Sequence, residues 1–360
     1  MLTVIISILV FGFLIFIHEF GHYITARIFH VTIEEFSIGM GPRLLSWVSK
    51  KTGIRYSIAV FPIGGFVSMP GENGEDPESG EDPYKDDPNT FGKKPVWQRF
   101  IITAAGATVN IVAGFLAMII ITLSINIGDT TVGAFFEDSE LSEVYGAEMT
   151  VTSDEYGLQK GDKIISVDGK RVRILDEVSY EIMRKGTEPI DIVVERNGER
   201  LLLEAVVFPT MEEQGQTFGV MDFKIYRVDK TFGNVMRYSF AKSALIIRMV
   251  WESLFDLITG RYSFAAVSGP IGISGAIGDA AKAGFISLLN MVVLISINLG
   301  VMNLIPFPAL DGGRLFTQLI EMITRKKLPP KVEGWINTVG FIILLSFMAI
   351  VMVKDVIALL

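Results

Sequence analysis

The stretch LTVIISILVFGFLIFIHEFGHYITARIF, residues 2–29, carries no charged side chain before Glu19, yet sets His18, Glu19 and His22 within one short run. A helical membrane crossing needs about 20 apolar residues, and this stretch supplies them. Ionisable residues at membrane depth cost on the order of a few kcal/mol each and face a bundle interior or a wet cavity, so they mark a site. His18 and His22 stand four residues apart, which on a helix puts both imidazoles on one face, the spacing of paired metal ligands. His30, near the end of the same stretch, reads as structural.

Working outward, residues 100–128, 283–310 and 335–353 are also free of charged side chains. Half of the 360 residues are apolar and a fifth are charged, the balance of a membrane protein rather than of one soluble domain. The expected fold class is therefore membrane α-helical, with four transmembrane helices. No basic residue precedes the first stretch and no small-residue cleavage site follows it, so it is expected to stay in the mature chain. Arg27, Arg43, Lys50, Lys51, Arg55, Lys93, Lys94 and Arg99 lie between the first two crossings, and Arg314, Arg325, Lys326, Lys327 and Lys331 between the last two. Basic loops stay in the cytoplasm, which places both termini and the segment from about 129 to 282 outside. A net charge of −8 argues against nucleic acid as a partner. The acids concentrate from Glu72 to Asp87 among Gly and Pro, read as a solvated cytoplasmic linker over 71–92. There is no cysteine, so disulfides and thiolate metal sites are excluded.

The outward segment, 129–225, changes to short alternating runs. Lys163–Val167 and Asp191–Glu195 read as strands, and Leu175–Arg184 as a helix with Val178, Ile182 and Met183 on one face. Asp168-Gly169 and Asn197-Gly198 mark tight turns, the second closing a hairpin of Ile192–Arg196 with Arg200–Val206. The run GLQKGDKIISVDGKRV, residues 157–172, resembles the core of a PDZ domain, a fold that binds extended peptides at a strand edge. From Phe232 to Thr259, charged residues recur at intervals that fit a polar helix face. This connector, 226–282, reads either as a helix lying on the membrane surface or as one packed on the outward domain.

Two histidines leave a zinc site one ligand short, because a catalytic site takes three protein ligands and an open position for water. Asn303-Leu304-Ile305-Pro306-Phe307-Pro308-Ala309-Leu310-Asp311-Gly312 supplies a candidate for the third, although Asp311 beside Gly312, Gly313 and Arg314 also reads as a cap or turn at the membrane edge. Its prolines must break the third helix, and non-helical backbone at membrane depth persists only when buried in protein or lining a wet cavity. Asp311 is then free to turn back toward the histidines. Glu19, next to a ligand, is placed to act as general base on water. Gly106 and Asn110 share a face of the second helix, where a small residue admits close backbone approach and the amide can bond across the bundle.

HEFGH at 18–22 together with NLIPFPALDGG at 303–313 resembles the paired signatures of the site-2 proteases, and within them the bacterial RseP-type intramembrane zinc metalloproteases with one PDZ domain. Weaker matches are FSIGMG at 36–41, RYSIAVFPIGGFV at 55–67 and KKPVWQRF leading to AGATVN at 105–110; Ala107 stands where that family usually has proline. The resemblance implies Zn2+ held by His18, His22 and Asp311, with Glu19 as catalytic base. It implies a membrane-associated β-hairpin loop, here 54–70, beside the metal, and substrate contacts from Asn303 and Pro308, with Asn110 a further candidate.

The implied function is hydrolysis of peptide bonds in or near transmembrane segments, with anti-sigma factors or remnant signal peptides as substrates, in the bacterial plasma membrane with the site toward the cytoplasmic half. Partners are then transmembrane protein or peptide substrates and the bilayer. The expected domains are 1–128, 129–225, 226–282 and 283–360. A membrane-anchored PDZ scaffold with a structural metal site is the alternative, but such a site would be closed by four protein ligands, and Glu19 would have no task. A zinc transporter would explain buried ligands, although three ligands beside a base suit retention better than release.

Overall fold

The computed structural model describes residues 2–72, 84, 86–213, 216–261 and 267–358; most of the acidic linker lies outside them. The chain divides into two compact units, Met1–Ala117 with Ile246–Leu360, and Met118–Leu245. The chain begins with α1 (Leu2–Ile28), β1 (Glu35–Val48), β2 (Arg55–Ser68) and α2 (Val96–Ser124). The second unit adds β3 (Ile127–Phe135), α3 (Asp138–Tyr145), β4 (Lys163–Val167), β5 (Lys170–Arg171), α4 (Leu175–Lys185), β6 (Ile190–Arg196), β7 (Glu199–Val206), β8 (Thr210–Glu213), β9 (Gln216–Gly219) and β10 (Phe223–Val228). The chain then runs through α5 (Phe232–Ile258), α6 (Pro270–Ala283), α7 (Phe285–Leu304), α8 (Asp311–Thr324) and α9 (Pro330–Ala358).

Among the described residues, four helices are long and apolar enough to cross a membrane: α1, α2, α7 and Lys331–Ile357 of α9. They coincide with the four charge-free stretches. On α1 the buried positions Ser7, Val10, Leu14, His18, Gly21, His22 and Ala26 recur at helical spacing and form one inward stripe. Its upper part packs with Ile277 of α6 and with Leu288, Met291 and Ile295 of α7. Its lower part packs with Phe36, Ile54, Val67 and Ile102. The carboxylate of Asp355 on α9 accepts the Gly269 and Gly272 amides at 3.2 and 3.0 Å, meeting the free N–H groups and positive end of α6.

The loop expected over 54–70 is not a hairpin by itself, because β2 pairs with β1 and both strands fold back. Phe36, Ser37 and Ile38 pair in parallel with Tyr56, Ser57 and Ile58, while Phe36 and Ser37 also face Val67 and Phe66, and Ser46 and Trp47 face Ser57 and Tyr56. The result is four short ribs from two strands, turned at Gly39, Gly41 and Gly64, whose φ values of 90°, 92° and 84° suit residues without a Cβ. Glu35 fixes the fold-back: Arg43 donates to it at 2.9 and 2.6 Å and Ser57 at 2.6 Å. The Arg43 guanidinium holds the Glu35 carboxyl below its ordinary range. Met40, Leu44, Trp47 and Phe61 are more than half exposed on this sheet, and the rib Gly65–Ser68 pairs on one side only among the described residues.

In the second unit an antiparallel sheet runs in the order β10-β3-β4-β6-β7, with β5 on β4. Asn197 and Gly198 both take positive φ, as do Asp168 and Gly169, the left-handed pair that a tight type I′ turn requires. Val178 and Ile182 of α4 enter the core with Ile164, Ile192, Val194 and Phe223. Asp162 is fully buried and accepts from Arg196 Nε at 2.6 Å, Arg196 Nη2 at 2.7 Å and the Gln159 amide at 2.9 Å, tying the Gly157–Asp162 turn to β6. The start of α5 belongs to this unit: Tyr238 and Lys242 both donate to Asp176 on α4, and Tyr238 and Ala241 pack with Ile127 and Ile174. That part of the connector packs on the domain rather than lying free.

Removing Asp162 takes the acceptor from the Gln159 amide and from the part-exposed Arg196 guanidinium, and hydrogen bonds to a charged group are worth roughly 1.5–3 kcal/mol. Asp162→Ala is expected to lower the unfolding temperature of the second unit strongly, and Asp154→Ala at an exposed turn to leave it unchanged; equal shifts in thermal unfolding would contradict the packing described.

Candidate metal centre

His18 and His22 project from the inward stripe of α1 toward the point where α7 ends. That helix stops because Pro306 and Pro308 follow: Ile305 is already extended, at φ −68° and ψ 137°. The chain crosses the break with Ala309 in the left-handed region at φ 73°, a conformation that costs a residue with a Cβ on the order of 1 kcal/mol, and re-enters a helix at Asp311, the first residue of α8. Gly312 and Gly313 let α8 begin against its own preceding loop; a Cβ on Gly313 would stand 2.5 Å from the Phe307 carbonyl oxygen.

The outcome is a three-atom cluster. His18 Nε2 lies 3.0 Å from Asp311 Oδ2, His22 Nε2 lies 3.2 Å from the same oxygen, and the two Nε2 atoms are 3.3 Å apart. Ligands about 2.0–2.1 Å from a tetrahedral zinc stand about 3.3–3.4 Å from one another, so three donors already outline one face of that tetrahedron. The fourth corner is left to the cavity. Among the described residues this is the one group of three His or acidic side chains placed to hold an ion.

The far nitrogens of both imidazoles meet α2. His22 Nδ1 donates to the Ile102 carbonyl at 2.8 Å, and His18 Nδ1 lies 3.1 Å from the Asn110 amide. Gly106, between these two contacts, is where the rings fit: a Cβ there would stand 2.8 Å from His18 Nε2 and from His22 Cε1. On the facing helix, a Cβ on Gly21 would stand 2.6 Å from the Ala105 carbonyl oxygen. The two glycines allow α1 and α2 to approach closely enough to bury the site.

Glu19 points into a cavity of about 580 Å3 together with His18, His22 and Asp311. The rib Gly65–Ser68 borders the same cavity, and a Cβ on Gly65 would reach within 2.9 Å of Glu19 Cγ. Arg314, one turn past Asp311, pairs with Glu72 across it, and Glu333 and Asn337 of α9 complete the wall. Asn303, on the last turn of α7, and Pro308, packed against Gly340 of α9, stand beside the break and outside the cavity lining. Asn110 is fully buried and meets His18 at Nδ1, the nitrogen away from Asp311. Sequence reasoning missed the Ile102 carbonyl, the left-handed Ala309 and the Glu72–Arg314 pair. The spacing of four that links 102, 106 and 110 could have exposed the first.

The model of peptidase family M50 matches residues 6–347, and the chain belongs to that family: it is a site-2-type zinc metalloprotease. A Clostridium acetobutylicum protein named as a zinc metalloprotease is 35% identical over 99% of this chain and 97% of its own length. A Fusobacterium nucleatum protein named likewise is 34% identical over 99% and 98% of the two chains. The regulator of sigma-W protease RasP of Bacillus subtilis is 26% identical over 98% of each.

Gly106→Ala adds one methyl group where both imidazoles lie. The variant is expected to fold and to lose most of its bound zinc, measured by metal analysis of the purified protein; full zinc occupancy would contradict the close approach described.

Proposed function

We propose that this protein is an RseP-type intramembrane protease, with His18, His22 and Asp311 holding zinc and Glu19 as its base. The observation that carries the reading is an open set of three donors with a carboxylate beside them in one cavity, rather than a closed set of four. His18, His22 and Asp311 would hold the ion, and the chemistry it would supply is polarisation of the scissile carbonyl and acidification of a water. Glu19 takes the proton of that water as it attacks the carbonyl carbon. It returns the proton to the leaving nitrogen, so that the peptide bond breaks to a carboxylate and a free amine.

A helical substrate hides its amides in its own hydrogen bonds and must be unwound first. The one-sided rib Gly65–Ser68, beside Glu19, suits this: an extended segment can add to it as a further strand and gain backbone bonds in place of those lost. The exposed Met40, Leu44, Trp47 and Phe61 on the same sheet fit burial in lipid. We assign Asn303 to the substrate backbone and Pro308 to shaping the wall on that side.

The proposed domains keep the bounds of the sequence reading: a membrane core with the folded-back β1–β2 sheet at 1–128, a PDZ-like domain at 129–225, a connector at 226–282 whose start packs on that domain and whose remainder is membrane-associated, and the closing crossings at 283–360. The basic loops support a site in the cytoplasmic half of a bacterial plasma membrane, with both termini and the PDZ-like domain outside. There that domain screens substrates already trimmed by another protease. Transmembrane segments are the substrate class, and anti-sigma factors and remnant signal peptides are the members proposed.

Glu19→Gln keeps the shape of the side chain and removes its basicity. Cleavage of a single-span substrate in detergent is expected to fall about 10²–10⁴-fold with zinc content unchanged. Equal cleavage by both proteins would remove Glu19 from the mechanism.

A further inference from the structure

The three donors are accounted for by their near side alone, yet each imidazole also needs a defined far side. An imidazole that binds a metal through Nε2 carries its proton on Nδ1, and a hydrogen bond from Nδ1–H fixes that tautomer and the plane of the ring. For His22 the acceptor is plain: the Ile102 carbonyl at 2.8 Å. For His18 the atom at 3.1 Å is Asn110 Nδ2, a donor. Two donors cannot face each other, and in the same side chain Oδ1 is buried without a partner. The two ends of an amide are told apart by their hydrogen bonds, and turning this amide by half a revolution places Oδ1 on the Nδ1–H of His18 and Nδ2 where Oδ1 stood.

We infer that Asn110 is a positioning residue for the metal centre, accepting the Nδ1–H of His18 through Oδ1 and so holding Nε2 toward the ion. Among the described residues the side chain has no other hydrogen-bond partner than His18. Asn110 is fully buried, and α7 is held by its backbone rather than its amide, since Ser296 Oγ donates to the Asn110 carbonyl at 2.8 Å. Positions 102, 106 and 110 recur every four residues along α2, one face of a helix. A carbonyl for His22, a gap for both rings and an amide oxygen for His18 therefore follow in order along a single rail.

The inference rests on the proposed ligand set, so zinc binding is measured directly. Zinc dissociation constants would be obtained by competition with a chromophoric chelator for the full chain in detergent, as wild type, Asn110→Leu and Asn110→Asp. Outer partners of metal-bound histidines are worth about 10–100-fold in affinity. Asn110→Leu, close in volume but without an acceptor, is expected to weaken binding by that factor. Asn110→Asp, which keeps the acceptor, is expected to stay within about threefold of wild type or to bind more tightly. Undiminished affinity in Asn110→Leu, or equal loss in both variants, would overturn the role.

A second readout stands even if Asn110→Leu fails to fold. The cobalt(II)-loaded wild type is expected to show two exchangeable, paramagnetically shifted imidazole N–H protons, one of which moves in Asn110→Asp. One such proton, or two that do not move, would equally overturn it. A wild type that binds no zinc would instead bring down the ligand set itself.

Discussion

Two imidazoles and a carboxylate within 3.3 Å of one another are costly in a bundle surrounded by lipid unless each polar atom has a partner. Here the near atoms meet at a point that suits a cation, and the far atoms meet α2. That arrangement depends on Gly21 and Gly106, because a methyl group at either would strike the facing helix or the rings themselves. The close pairing of α1 with α2 is thus both a packing feature and the condition for the site. The break between α7 and α8 meets the same condition from the other side, delivering Asp311 through an extended, proline-bearing turn that only a protein-lined cavity can shelter.

The same close packing sets the direction from which a substrate can come. Asn110 lies fully buried behind His18, and the cavity beside the histidines is lined by Glu19, the Gly65–Ser68 rib, Ile102 and Thr103 of α2 and the start of α8. In the proposed function a peptide entering there meets a strand edge before the ligands, and unfolding a helical segment and aligning its amide belong to one binding event, in which backbone hydrogen bonds are exchanged rather than lost.

Much of this was legible in the sequence where the signals are local. Charge-free stretches gave the crossings, the four-residue spacing of His18 and His22 gave the shared helix face, and Pro306 with Pro308 gave the break. The Asn197-Gly198 and Asp168-Gly169 turns and the strands they join were legible for the same reason. Signals that depend on distant pairing were not. The first strand escaped notice because its partner is a later strand folded back on it, and glycines at 39 and 41 look like loop residues until their positive φ values explain them. The pairing of β10 with β3 joins Phe223 to Phe135, which no short-range pattern records. Asn110 was placed on the correct face of its helix, yet its task depends on which nitrogen of His18 it meets, and only the packing of two helices decides that.

X-ray absorption at the zinc edge of the purified wild type, set beside Asp311→Ala, tests the central claim most directly. The account predicts one zinc per chain, bound by two imidazoles and by oxygen donors at about 2.0–2.2 Å, with occupancy lost when Asp311 is removed. A wild type without zinc, or a zinc environment that is the same in Asp311→Ala, would contradict it.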